Sequence, residues 1–75
     1  MYINSVVKNK GAKMNYNELT KLMKKAGWSF HHNGKGSHKM WAHPNRTYQI
    51  SVPDHGSKEL KPGLVRGIKK QAGIE

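Results

Sequence analysis

A chain of 75 residues has room for one small domain, and at this size folding buries only roughly 60% of the surface that the unfolded chain exposes, so a bound partner adds stability that counts. There is no cysteine, which excludes a disulfide framework and a thiolate metal site, and no apolar run exceeds three residues, which excludes a membrane-spanning helix and the apolar core of a signal peptide. Fourteen Lys and Arg against four acids give a formal charge of +10, a balance suited to a polyanionic partner.

Residues 1–14 are polar and basic, with an isolated Val6-Val7 pair and no helical period. They read as an N-terminal extension, mobile unless a partner orders it, ahead of a folded domain over 15–75. The first helix is predicted from about Asn17 to Ala26, capped by Asn15 or Asn17. Leu19, Leu22, Met23 and Ala26 fall at i, i+3, i+4 and i+7, one apolar stripe. Lys24 and Lys25 suit the negative end of the helix dipole, and Gly27 is the stop.

Three short strands are expected next. Trp28 to His32 alternates, with Trp28 and Phe30 on one face as core residues and His31 and His32 in the strand and at its rim, where either can touch RNA. Asn33-Gly34-Lys35-Gly36 turns the chain into a second strand, about Ser37 to His43. There Met40 and Trp41 point opposite ways, so one of them lies on a solvent or ligand side, where a tryptophan can also stack on a base. His43-Pro44-Asn45-Arg46 reads as a hairpin turn. Thr47 to Val52 is the third strand, Tyr48, Ile50 and Val52 on one face and Thr47, Gln49 and Ser51 on the other. Pro53 stops the sheet.

After the loop Asp54-His55-Gly56-Ser57 a last helix starts at Pro62, a residue suited to the first helical position, and runs to Ala72. Its apolar stripe is Leu64, Val65, Ile68 and Ala72, and Gly73 closes it. Gly63 and Gly67, four apart, each cost roughly 1 kcal/mol against alanine, an expense that a close approach to another element would explain. The order is helix, three antiparallel strands, helix: an α+β fold with both helices on one face of the sheet.

The segment Gly34-Lys35-Gly36-Ser37-His38 carries the strongest chemical signal. It is a basic, glycine-rich loop ending on a histidine, within a stretch from Leu19 to Pro53 that contains no acidic residue. Imidazole is the side chain most readily made into a proton shuttle near neutral pH, glycines let a backbone approach closely, and the positive field attracts phosphates. His38 is therefore a candidate for chemistry on nucleic acid. The five histidines do not read as a metal site, because carboxylates are scarce and no His-x₃-His pair falls on a predicted helix.

Five blocks in order carry a family resemblance: Leu22-Met-Lys-Lys-Ala-Gly-Trp28, Gly36-Ser-His38, His43-Pro44, Val52-Pro-Asp-His-Gly-Ser-Lys-Glu-Leu-Lys-Pro-Gly63 and Gln71-Ala-Gly73. Together, over about residues 15–74, they resemble the HicA toxins, small mRNA interferases of toxin–antitoxin systems. The resemblance implies a double-stranded-RNA-binding-domain-like α-β-β-β-α fold and ribosome-independent cleavage of mRNA in the cytoplasm. It implies the histidine of the Gly-Ser-His block, here His38, as the catalytic residue. It also implies a HicB-type antitoxin as partner, the toxin being monomeric when free and hetero-oligomeric when neutralised. Two departures stand out: the family usually begins close to the first helix, so residues 1–14 are not explained by it, and Gly67 stands where a serine or another helix-compatible residue is common.

On this reading the enzyme needs neither cofactor nor metal, since RNA supplies its own 2′-hydroxyl nucleophile. His38 is the general base. Lys35 and Lys39, flanking the loop, together with Gly36, Ser37 and Lys58, are the candidate RNA contacts, with the Gly34 and Gly36 amides able to assist if they point inward. No general acid stands out: His55, Lys58, a water or another histidine remain open. The alternatives are a non-catalytic RNA-binding module of the same fold and a basic interaction protein for an acidic partner.

Overall fold

The protein is described here by a computed structural model that covers residues 14–74. The extension read over 1–14 thus lies, Met14 apart, outside the described residues. The chain runs α1 (Tyr16–Lys25), β1 (Ser29–Asn33), β2 (His38–Ala42), β3 (Ile50–Pro53) and α2 (Pro62–Ala72). The strands pair antiparallel in the order β1-β2-β3. This is the expected α+β arrangement.

Local chemistry explains both helices. Asn15 caps α1: its side chain accepts the Glu18 N–H at 2.9 Å, while the Glu18 carboxylate accepts the Asn15 N–H at 3.1 Å. Pro62 starts α2 at a position where no N–H is needed. The two helices end alike. Gly27 (φ 100°) and Gly73 (φ 75°) turn the chain into the left-handed region. The following residues, Trp28 and Ile74, then donate back to Met23 O at 3.0 Å and Lys69 O at 2.9 Å. Lys24, Lys25, Lys69 and Lys70 occupy the last turns, where cations are favoured.

One core joins the layers: Leu19 and Met23 from α1, Trp41, Ile50 and Val52 from the sheet, Val65, Ile68 and Ala72 from α2, with Trp28 and Leu60 from the connections. Burying a side chain of this size stabilises by about 1.5–3 kcal/mol relative to exposure. Both indoles also satisfy their N–H groups. Trp28 Nε1 donates to Ala72 O at 3.1 Å, fixing the entrance of β1 to the end of α2, and Trp41 Nε1 donates to Tyr16 Oη at 3.1 Å. Burial pushes the Tyr16 phenol above its ordinary value; the Trp41 hydrogen bond pulls the other way, and the Asp54 charge adds to the rise. Met14 pairs with Leu60, whose N–H donates to Met14 O at 2.7 Å, and packs against this core.

Several expectations need correction. Trp28 is buried, but Phe30 is 49% exposed, because β1 is an edge strand and Phe30 touches Trp41 only edge-on at 6.3 Å. The third strand begins at Ile50 rather than Thr47. Tyr48 precedes it, 41% exposed, and is tied by its hydroxyl to Gln71 O at 2.7 Å. Leu64 lies 39% exposed instead of joining the stripe of α2. Gly63 and Gly67 face open space, so they permit no close approach. Of Met40 and Trp41, it is Trp41 that is buried.

Candidate functional site

The hairpin between β1 and β2 is closed by two backbone bonds: His38 N–H donates to Lys35 O at 3.0 Å and Gly34 N–H to His38 O at 2.8 Å. Gly36 takes φ 58° in this turn, a conformation that other residues rarely adopt. The chain after β3 is fastened alongside, with Asp54 N–H donating to Ser37 O at 2.9 Å. His38 is therefore the first residue of a strand held at both ends of its turn.

Alternation then decides which side each residue faces. Trp41 enters the core with the helices, so Lys39 lies on the helix side and His38 and Met40 lie on the helix-free side. On β3 the same parity puts Ser51, paired with Met40, on the helix-free side. The His38 ring leans towards it: Nδ1 is 2.9 Å from Ser51 Oγ. Nε2 of His38 has no hydrogen-bond partner among the described residues, and the side chain is exposed. Gly34 borders the same patch. A Cβ there would stand 3.3 Å from Met40 Sδ and 3.5 Å from His38 Cβ, so its bare backbone leaves room for Met40 beside the histidine.

β1 departs from simple alternation. Phe30 pairs with Trp41 and His32 with Met40, which leaves His31 as the extra residue of a bulge. His32 consequently shares the helix-free face with Met40 and Ser51. Its Nδ1 lies 2.8 Å from Nδ1 of His31, and one ring must donate while the other accepts.

The proposed contact residues divide. Lys35, Gly36 and Ser37 form the exposed turn next to His38. Lys39 does not share the face of the His38 ring; its Nζ donates to Asn33 Oδ1 at 2.8 Å. Lys58 is exposed in the loop that follows β3, its N–H donating to His55 O at 3.2 Å. The Gly34 amide is committed to the hairpin and offers nothing to a phosphate. His43 is structural. Its Nδ1 accepts the Asn45 N–H at 3.0 Å, its Nε2 donates to Ala26 O at 3.0 Å, and its ring packs on Trp28 at 5.2 Å.

The sequence pattern put Ser51 on the polar face of its strand but gave no pairing, so its contact with His38 was not legible there. Among the described residues no three of the side chains able to ligate a metal come together, and no helix is long and apolar enough to cross a membrane. The chemistry available on this face is that of imidazoles, a hydroxyl and a cationic turn.

Comparison with known proteins gives two matches. The family model for the HicA toxin of bacterial toxin–antitoxin systems matches residues 16–74. A probable mRNA interferase HicA from Pseudomonas fluorescens (strain Pf0-1) is 40% identical over 63 residues, covering 83% of this chain and 98% of that protein.

Proposed function

This chain belongs to the HicA toxin family, and on that premise we propose that it is the toxin of a toxin–antitoxin pair, a ribosome-independent, metal-independent endoribonuclease that cleaves mRNA in the cytoplasm with His38 as its general base. The observation that carries the reading is the state of the His38 ring: exposed on the helix-free face, Nδ1 held at 2.9 Å by Ser51 Oγ, Nε2 without a hydrogen-bond partner among the described residues.

The chemistry follows from that placement. With Nδ1–H donating to Ser51, the lone pair sits on Nε2, where it removes the proton of the 2′-hydroxyl. The resulting 2′-oxygen attacks the adjacent phosphorus and the bond to the 5′-oxygen breaks, leaving a 2′,3′-cyclic phosphate and a 5′-hydroxyl. As the imidazolium forms, its bond to Ser51 strengthens, because a charged donor makes the stronger hydrogen bond. Lys35 and the turn at Gly36 and Ser37 hold the phosphate against the histidine, and Lys58 adds positive charge from the neighbouring loop. Lys39, on the helix side of the sheet, contacts a more distant phosphate.

A HicB-type antitoxin is the partner this reading requires, one that covers the helix-free face in a hetero-oligomer. On this reading the toxin domain spans 15–75, and Met14, just ahead of it, pairs with Leu60.

The test is incubation of the purified chain with a defined single-stranded mRNA in EDTA, beside His38→Ala. A positioned general base contributes about 10² to 10⁴-fold, so the variant is expected to lose at least about 10²-fold while still binding RNA. Intact RNA with the folded native chain, or equal cleavage by both proteins, would overturn the assignment. A 5′-phosphate on the products would point instead to an attacking water.

A further inference from the structure

Cleavage by transfer to the 2′-oxygen needs a second group, one that protonates the departing 5′-oxygen. We infer that His32 is that general acid, an inference that rests on the ribonuclease reading of His38.

Three observations carry it. The first is facing: the bulge at His31 pairs His32 with Met40, which puts its side chain on the helix-free side together with His38 and Ser51. The second is spacing. His32 sits opposite Met40 and His38 is two residues from Met40 on the same strand, so the two histidines are diagonal cross-strand neighbours, a relation that separates residues by about 7–8 Å. In an in-line displacement the attacking and leaving oxygens lie on opposite sides of phosphorus. Acid and base must then be separated by the width of one phosphodiester and a hydrogen bond of about 2.6–3.2 Å at each end, which a diagonal pair of imidazoles spans.

The third observation is how each ring is held. His38 has Nδ1 at 2.9 Å from Ser51 Oγ, and His32 has Nδ1 at 2.8 Å from His31 Nδ1. In both, the inner nitrogen is engaged and Nε2 has no partner among the described residues. His43, by contrast, uses both nitrogens on the protein itself and has none to offer. His32 as the imidazolium donates Nδ1–H to the neutral His31 and keeps Nε2–H for the substrate.

The proton balance closes. His38 Nε2 takes the proton of the 2′-hydroxyl, the 2′-oxygen to phosphorus bond forms, the phosphorus to 5′-oxygen bond breaks, and His32 Nε2–H passes its proton to that oxygen. His38 ends protonated and His32 neutral, and exchange with water resets both.

A leaving group that needs no proton separates this role from binding or structure. The experiment compares an RNA of defined sequence with the same RNA bearing sulfur in place of the bridging 5′-oxygen at the cleaved linkage, since a thiolate departs unprotonated. His32→Ala is expected to slow cleavage of the oxygen substrate by about 10²-fold or more and to cleave the sulfur substrate within a few-fold of the native chain. His38→Ala is expected to be slow on both. Native rates for His32→Ala on the oxygen substrate would overturn the inference and leave His38 untouched, as would equal losses on both substrates. Native rates for His38→Ala would instead overturn the general-base reading of His38 beneath it. Both side chains are exposed, and circular dichroism of each variant checks that the fold is kept.

Discussion

Replacing Ser51 with alanine isolates the hydrogen bond on which the His38 assignment leans. The side chain is exposed on the helix-free face, and its backbone pairing with Met40 is unaffected by the change, so no core cavity forms. Stability should therefore stay within about 0.5 kcal/mol of the native chain. Catalysis should not. A hydrogen bond to a neutral group contributes about 0.5–1.5 kcal/mol and one to a charged group about 1.5–3, so the Nδ1–H···Oγ bond gains about 0.5–2 kcal/mol as His38 becomes an imidazolium. Only an interaction that strengthens on the way to the transition state accelerates the step. Its loss should lower the single-turnover rate about 2- to 30-fold, with little change in the concentration of RNA needed for half-saturation. Ser51→Thr keeps the hydroxyl and should restore most of the rate. Single-turnover cleavage of an end-labelled RNA, with thermal melts of each variant, reads all of this. A native rate for Ser51→Ala, or Ser51→Thr as slow as the alanine variant, would refute the positioning role.

Two further predictions concern the scaffold. Gly27→Ala puts a residue at φ 100° and a Cβ 2.6 Å from His43 Nε2, a ring that the Ala26 carbonyl and Trp28 hold in place. Left-handed backbone costs about 1–2 kcal/mol and overpacking about 1–3, so the melting temperature should fall by about 10 °C or more; a drop of only a degree or two would mean that His43 moves aside freely. Burial raises the Tyr16 phenol above its ordinary value, helped by the Asp54 charge and opposed by the Trp41 hydrogen bond. The folded state therefore favours the protonated form, and this contribution is complete below the unfolded value near 10 and is lost as pH climbs through the folded one. Urea midpoints should fall more steeply above about pH 10 for the native chain than for Tyr16→Phe, and parallel curves would refute the link.

The parts of this fold that local chemistry dictates were legible in the sequence. Asn15, one of two cap candidates, and Gly27, Pro62 and Gly73 mark the helix ends because caps and left-handed turns depend on a few adjacent residues, whereas the reciprocal bond from Glu18 appeared only in the structure. The stripes Leu19–Met23 and Val65–Ile68–Ala72 follow from the helical period. Phe30 and Leu64 were misplaced because exposure depends on where the partner layer ends, which no window of sequence records. Tyr48 shows the same limit: its alternation with Ile50 and Val52 suggested a strand, yet its hydroxyl found Gln71 O, 23 residues further along the chain on α2. At the site, Gly34–His38 announced itself by composition, whereas the partners of His38 come from strand register.

That register hangs on one residue. Were β1 regular, His31 would stand opposite Met40 and His32 opposite Lys39, on the helix side. The bulge shifts the count by one, so that Phe30 still meets Trp41 while His32 comes round to the face of His38 and Ser51. Two demands conflict along β1: Phe30 must face Trp41, and the turn must pair Gly34 with His38, whose backbone bond of 2.8 Å fixes the other end. Five residues from Phe30 to Gly34 face four from Trp41 to His38, and an antiparallel ladder absorbs such a mismatch by leaving one residue unpaired. The unpaired residue is His31, and it is the one whose Nδ1 lies against His32. The same irregularity that reconciles core and turn thus brings His32, with His31 against its Nδ1, to the side of the sheet where His38 begins β2.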